Sequence, residues 1–320
     1  NYRELNTIKE KLFLKDFNYL TPANAAKHSR VHPKPTVWNW QQIDDFITFS
    51  RKHNLQVRLH GPISPQASKW AKQDHRTSEE LETNMIEFTT AFAKKFNKEP
   101  TVKWMDVVNE TILPNGKWFG PKKGTNKWEN PWLKIGLDDN GCPLYILKAF
   151  EIATKYATNI KLIYNHNAGM ESVMWDKIKQ TILYIRSKGY RVDGIGWQAH
   201  IGLSASTKAI LEHTDEELRK LSELIDWAHK NNLEFHITEL DYFVKDSNKL
   251  SKEYQKQAEI YTKIVTILRK KIKSGVVTLN FWDMAARTRK GKEGTFHSIY
   301  DSDFKPTPAY KTINLSKQKL

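Results

Sequence analysis

Short apolar segments alternate with helical segments along almost the whole chain, and this alternation limits the possible folds more than any other feature. Seven segments read as strands, near residues 17, 57, 106, 162, 196, 237 and 279. Strands that alternate with helices favour parallel pairing, because each helix returns the chain to the same end of the sheet. No composition break or internal repeat interrupts the series. The sequence therefore predicts a single α/β domain over residues 1–320.

A closed barrel of parallel strands and helices needs eight strands, one more than this sequence supplies. The chain starts with a helical segment at residues 2–16, so we expect the first strand of a (β/α)8 TIM barrel to be missing from the given chain. The N-terminus has neither an initiator Met nor a signal peptide, as expected of a mature or trimmed form. Secretion stays open, and we expect an extracellular or periplasmic protein.

Composition excludes several classes of protein. Cys142 is the only cysteine, so an internal disulfide is impossible, and no apolar run is long enough to span a membrane. The net charge of +15 favours a polyanionic partner, either nucleic acid or an acidic polysaccharide. The lysines are scattered rather than gathered in one arm, which argues against nucleic acid. We expect a monomer without a cofactor or a metal site.

Two apolar segments end in a glutamate. Residues 102–110 end in Asn109-Glu110, and residues 234–241 carry Glu239 followed by Leu240-Asp241. About three strand-helix units of roughly 40 residues fit between them, which places both glutamates at the same end of a barrel. Two carboxylates facing one cleft can cleave a glycosidic bond, since one protonates the leaving oxygen and the other attacks or activates water. The alternative for Glu110 alone is a cap on the next helix.

The motifs, taken in chain order, resemble glycoside hydrolase family 10. They are Phe17-Asn18, Thr21-Pro22-Ala23-Asn24, Lys27, Val57-Arg58-Leu59-His60, Asp106-Val107-Val108-Asn109-Glu110, Tyr164-Asn165, Gly194-Ile195-Gly196-Trp197-Gln198-Ala199-His200, Ile237-Thr238-Glu239-Leu240-Asp241 and Phe281-Trp282. The resemblance covers nearly the whole chain except the family's first strand. It implies a (β/α)8 barrel and, for most members, endo-β-1,4-xylanase activity on a polysaccharide.

The resemblance also implies roles for individual residues. Glu110 matches the general acid/base and Glu239 the nucleophile of a retaining mechanism, which needs the two carboxyls ~5–5.5 Å apart. Asn109 would donate to the sugar 2-hydroxyl, and His200 would hydrogen-bond Glu239 while Asp241 fixes the imidazole. The residues matching the sugar-binding positions are Asn24, Lys27, His60, Asn165, Gln198 and Trp282, with Trp282 as the platform beneath the sugar.

Four positions depart from the family pattern. Ala23 replaces a Glu, Ser64 replaces a Trp, His166 replaces an acidic residue, and Asp283 replaces a Gly. After Asp283 the chain also carries Arg287, Arg289, Lys290 and Lys292. Loss of the Glu and the Trp is expected to enlarge the glycone pocket, and the basic residues to favour a decorated or anionic glycan. The alternative is drift, with other residues reaching in from loops.

Three functions follow. The first is a retaining endo-acting β-glycanase of the xylanase type. The second is a related barrel hydrolase with another sugar or linkage specificity, or an exo-acting one. The third is a catalytically silent carbohydrate-binding barrel, which would have no chemical need for both carboxylates.

Overall fold

The computed structural model describes residues 8–124, 128–245, 250–288 and 293–313. The helices are α1 (Ile8–Asp16), α2 (His28–Val31), α3 (Gln41–Lys52), α4 (Ser78–Phe96), α5 (Leu144–Tyr156), α6 (Ser172–Ser187), α7 (Ala205–Glu212), α8 (Thr214–Lys230), α9 (Leu250–Lys271) and α10 (Pro308–Ile313), with a 3-10 helix at Pro131–Ile135. The strands are β1 (Tyr19–Leu20), β2 (Gln56–Leu59), β3 (Val102–Asn109), β4 (Lys161–His166), β5 (Gly194–Trp197), β6 (His200–Ile201), β7 (Glu234–Val244), β8 (Val277–Phe281), β9 (Arg287–Thr288) and β10 (Thr295–His297).

The chain folds as two compact units. The first contains Phe17–His166 and Ser172–Gly194, and the second contains α1, Asn167–Glu171 and the described residues from Ile195 onward. The division into compact units does not decide whether the chain is one domain, so the single domain over residues 1–320 stays a prediction. Within the described residues, no helix has both the length and the apolar character needed to cross a membrane.

The first unit is built on four parallel strands in the order β1-β2-β3-β4. Strand β3 is the longest of them and is almost continuously buried, as expected of a strand covered on both faces. The sequence predicts a capping box in which Thr77 or Ser78 caps the helix and Glu80 closes the box. Helix α4 begins with it, and Thr77 and Glu80 each bond the other's backbone. Its buried face carries Phe88, Phe92 and Phe96, spaced four residues apart so that they lie in one row along the helix.

The second unit is organised around β7, which runs parallel to β6 and β8 and lies beside β5. The far end of β7 pairs antiparallel with β10, which in turn pairs with β9. Strand β7 is buried over most of its length, so a charged residue within it needs partners supplied by neighbouring elements.

The structure confirms the seven predicted strands and corrects some details. The strand predicted over residues 192–200 is split into β5 and β6, while α7 and the β9–β10 pair were not predicted. The sequence predicts an apolar face on helix α1 made of Leu5, Ile8, Leu12 and Phe13. No residue of α1 is buried and Ile8 is 57% exposed, so the prediction is wrong for Ile8. Leu5 lies outside the described residues. The missing first barrel strand concerns the chain before the described range and stays a prediction.

Candidate active site

Glu110 follows β3 immediately and is held by the end of the neighbouring strand. Its backbone N–H donates to the carbonyl oxygen of Asn165 over 3.2 Å, and its φ of 56° turns the chain sharply out of the strand. A non-glycine residue at positive φ is uncommon and persists when surrounding contacts determine it. The side chain is buried. The fold therefore fixes Glu110 at the end of β3 through its backbone.

The Glu110 carboxylate accepts a hydrogen bond from one amide side chain, which is itself oriented by a second amide. The side-chain amide of Asn165 donates to Asn109 Oδ1 over 2.9 Å, and Asn109 Nδ2 donates to Glu110 Oε1 over 3.0 Å. Since Asn165 occupies the oxygen of Asn109, the NH₂ group of Asn109 must face Glu110. Asn109 and Asn165 are opposite one another in the β3–β4 register. The structure thus brings three predicted site residues into one hydrogen-bonded group.

His60 is oriented by an ion pair that the sequence reasoning missed. Asp106 accepts two hydrogen bonds from Arg58, and His60 Nδ1 donates to Asp106 Oδ2 over 2.9 Å. Burial raises the pKa of Asp106, but the Arg58 charge and the His60 contact lower it further, so the pKa lies below its ordinary value. Because an ionised carboxylate only accepts, the proton sits on Nδ1 of His60 and the ring orientation is fixed.

The remaining sugar-binding candidates of the first unit lie after β1. Lys27 is buried at the start of α2, and its backbone N–H donates to the carbonyl oxygen of Asn24 over 3.1 Å. Asn24 itself is exposed. All six candidates of this unit therefore follow or end strands β1 to β4, at the carboxyl ends where barrel enzymes carry their chemistry.

In the second unit, His200 joins two carboxylates of β7. Its Nδ1 lies 2.8 Å from Asp241 Oδ1, and its Nε2 lies 3.2 Å from Glu239 Oε2. Burial by itself lowers the pKa of His200, but the charges and hydrogen bonds of Asp241 and Glu239 more than offset it and raise the pKa to about 10. His200 is therefore an imidazolium that donates from both nitrogens. Glu239 and Asp241 are both buried.

Trp282 and Gln198 complete the predicted residues of the second unit. Trp282 follows β8, donates its backbone N–H to Leu240 over 3.0 Å, and stands edge-on to the His200 ring at a centroid distance of 6.3 Å. Gln198 is buried just after β5. Within the described residues, no group of His, Cys, Asp and Glu side chains is arranged to hold a metal ion.

Three of the four departures from the family pattern have structural partners. Ser64 is fully buried, and Trp132 of the 3-10 helix donates its indole N–H to the Ser64 carbonyl over 3.2 Å. The enlarged pocket expected at this position stays a prediction. His166 is fully buried and accepts the Ile112 N–H over 3.0 Å, which anchors the segment that follows β3. Asp283 has a φ of 77° and forms an ion pair with a lysine of α1.

Arg287 was predicted to add positive charge for the substrate, but its Nη2 lies 3.1 Å from Asp241 Oδ2. Arg289, Lys290 and Lys292 lie outside the described residues. The signal for the missed Arg58–Asp106 pair was present in the sequence, because a charge within an apolar strand requires an opposite charge on a neighbour. The short strand β9, which carries Arg287, gave no comparable signal.

Comparisons with known proteins agree on one family. A sequence model of glycosyl hydrolase family 10 matches residues 1–315. The chain is 28% identical to endo-1,4-beta-xylanase A of Caldicellulosiruptor saccharolyticus, over 89% of this chain and 80% of that protein. It is also 28% identical to a beta-1,4-xylanase of Dictyoglomus thermophilum, over 86% of this chain and 73% of that protein.

Solved structures give the same result. Xylanase 10B from Thermotoga petrophila in complex with xylobiose matches with a TM-score of 0.80 and 26% identity, covering 99% of this chain and 91% of that one. Native xylanase 10B from Thermotoga maritima has a TM-score of 0.81 at 24% identity, covering 99% of this chain and 92% of that one. The predicted (β/α)8 barrel fold is confirmed. The chain belongs to glycosyl hydrolase family 10 and is a glycoside hydrolase.

Proposed function

We propose that this protein is a retaining endo-β-1,4-xylanase that uses Glu110 and Glu239. The observation that carries the proposal is the same for both residues. Glu110 is buried just after β3 and Glu239 is buried in the middle of β7, and each accepts a hydrogen bond from a neighbouring side chain, the Asn109 amide for Glu110 and the His200 imidazolium for Glu239. The relatives named as xylanases supply the substrate class.

The proposed reaction is a double displacement. Glu110 gives its proton to the glycosidic oxygen as the bond from that oxygen to the anomeric carbon breaks, and Glu239 attacks the same carbon. The resulting glycosyl-enzyme is hydrolysed by a water whose proton passes to Glu110. This sequence requires the two carboxyls to stand ~5–5.5 Å apart.

His200 has a defined part in this scheme. Its Nε2–H occupies one oxygen of Glu239, which limits rotation of the carboxylate and leaves the other oxygen for the sugar carbon. The positive charge also favours the ionised form of Glu239, the form that attacks. Asn109 would donate to the sugar 2-hydroxyl, a bond that strengthens as the oxocarbenium ion develops.

The sugar would be bound by Asn24, Lys27, His60, Asn165, Gln198 and Trp282. The finer proposal is that the glycan is decorated or anionic, supported by Ala23 in place of a Glu and by the net charge of +15. Arg287 does not support it, because its guanidinium is bound to Asp241.

The test is reducing-end release from neutral xylan, glucuronoxylan, mixed-linkage glucan, mannan and sulfated algal glycans, with wild type beside Glu239→Gln. Glu223→Gln is the matched control, since Glu223 is an exposed residue paired with Arg219 on α8. We expect release from a xylan, lost in Glu239→Gln and kept in the control. Release from glucan or mannan alone would reject the xylanase proposal. Binding without release by any variant would favour the silent carbohydrate-binding barrel.

A further inference from the structure

Arg287 of β9 is held on three sides within the second unit. Its Nη2 lies 3.1 Å from Asp241 Oδ2, and its Nε lies 4.0 Å from Asp283 Oδ2. The guanidinium also stacks over the ring of Phe296, 4.5 Å from the ring centroid. Phe296 is buried on β10 and packs on Phe243 of β7, so the stacking surface is itself fixed. These contacts give the Arg287 head group one defined position.

The Arg287 contact completes the hydrogen bonding of a buried carboxylate. Asp241 is fully buried, with Oδ1 bonded to His200 and Oδ2 bonded to Arg287. Burial raises the pKa of Asp241, and the Glu239 charge adds to this; the charges of His200 and Arg287 favour the ionised form but offset burial only in part, so the pKa lies above its ordinary value. His200 also bonds Glu239, so Arg287 is the second cation bound to Asp241.

Beyond Asp241, acidic and basic side chains alternate along a row of contacts. Asp283 lies on the other side of Arg287, and Lys9 of α1 lies 2.8 Å from Asp283 Oδ1. Tyr261 of α9 also faces Asp241, and burial together with the Asp241 charge raises its pKa well above the ordinary value, so it stays neutral. Asp241 therefore meets positive charge from β6 and β9 and a neutral hydroxyl from α9.

We propose that Arg287 is a positioning residue that orients the nucleophile Glu239 through Asp241 and His200. The inference rests on the proposed function of Glu239. With Arg287 in place, Asp241 stays ionised and holds Nδ1–H of His200, which keeps Nε2–H on Glu239. Without Arg287, Asp241 takes up a proton at higher pH, and a neutral carboxyl holds the imidazolium poorly. The orientation of Glu239 is then lost on the acid side of the pH profile.

The test compares wild type, Arg287→Gln, Arg287→Lys and the control Arg219→Gln, an exposed arginine of α8. The readouts are kcat and KM across the acid and neutral range on the best xylan of the panel. For Arg287→Gln we expect kcat to fall about tenfold, with KM changed less than about twofold and the acid-limb midpoint raised by about one pH unit. Arg287→Lys restores most of the acid limb because it restores the charge.

Two outcomes would overturn the inference. One is a pH profile of kcat for Arg287→Gln that superimposes on the wild-type profile. The other is a loss confined to KM on anionic xylans, which would make Arg287 a ligand for sugar acids. A wild type without glycanase activity would instead reject the proposed function. In that case, nitrogen NMR of labelled histidines tests the role of Arg287 without relying on activity. There we expect the acid-side step in the His200 signal to move to higher pH in Arg287→Gln, and an unmoved step contradicts the inference.

Discussion

Replacing Asp106 by Asn should destabilise this protein strongly, although the two residues have nearly the same shape. In the wild type, one carboxylate oxygen serves Arg58 and the other serves both Arg58 and His60. An Asn side chain offers one acceptor oxygen and no charge. Arg58 is 1% exposed, so water cannot replace the lost carboxylate. The substitution leaves a buried guanidinium without its counter-ion.

The magnitude follows from the burial of this pair. Two unit charges about 4 Å apart interact by about 4 kcal/mol at the effective dielectric constant of a protein. Removing one partner of a buried pair costs about 3–5 kcal/mol, because the remaining charge stays desolvated. We therefore expect Asp106→Asn to lower the free energy of unfolding by about 3–5 kcal/mol. It also frees the His60 ring, so KM for the sugar should rise.

Urea unfolding followed by tryptophan fluorescence measures the loss as a lower midpoint at an unchanged slope. Asp303→Asn is the matched control, since Asp303 is exposed and should give no change. The double variant Arg58→Met with Asp106→Leu removes both charges and should recover most of the stability, because apolar residues of similar volume often replace a buried pair without loss. A single variant that loses less than about 1 kcal/mol, or a double variant as unstable as the single, would refute this reasoning.

Two further predictions concern proton transfer and acid stability. Glu110→Ala should lower kcat on xylan about 10²–10⁴-fold, and much less on an aryl xyloside whose leaving group needs no proton; equal losses on both would contradict an acid role. His28 is fully buried and bonds Asn84 through Nε2 and the Ser68 N–H through Nδ1, an arrangement that suits the neutral ring. Burial lowers the pKa of His28 to about 3, so its contribution to stability is present above about pH 6.5 and is lost as the pH falls toward 3. The urea midpoint of wild type should fall more steeply with acid over this range than that of His28→Asn, and parallel curves would contradict the assignment.

The sequence predicted those parts of the structure that depend on local patterns. Apolar runs located the strands, and Thr77 with Glu80 located the start of α4 within one residue. The end of β3 was predicted because a buried strand that stops at polar residues is itself a local signal, whereas β7 continues past the predicted end at Asp241 to Val244. The two predicted apolar runs still carry Asn109, Glu110 and Glu239 at or near their ends, which is why the candidate site was found before the fold was known.

The parts that were missed depend on contacts between distant segments. Strand β9 has only two residues and pairs with β10. Two residues are too few to show the alternation of apolar and polar side chains by which a strand is recognised in a sequence. The partner of Arg287 could not be read from the chain, since Asp241 lies 46 residues away on another element. The same holds for Trp132, whose indole N–H reaches the Ser64 carbonyl across 68 residues.

At Asp283, an unfavourable backbone conformation is opposed by an ion pair and a hydrogen bond of the side chain. Its φ of 77° lies in the left-handed region, where a glycine, the residue the family pattern has here, would relieve about 1 kcal/mol of strain. Against this, Asp283 bonds Lys9 over 2.8 Å and accepts the Met284 N–H over 2.8 Å. Burial raises the pKa of Asp283, but the Lys9 charge and these hydrogen bonds lower it more, so the ionised form is stabilised.

Hydrogen bonds to a charged group contribute about 1.5–3 kcal/mol each, which exceeds the strain. Asp283→Gly should therefore lower the free energy of unfolding at neutral pH by about 1 kcal/mol or more. The stabilisation by Asp283 is present above its ordinary pKa and is lost as the pH falls through the lowered value, so the difference between the two proteins should shrink in acid. Lys9→Met, which removes only the cation, should reproduce part of the loss. An Asp283→Gly variant more stable than wild type at neutral pH would mean that backbone strain outweighs the ion pair.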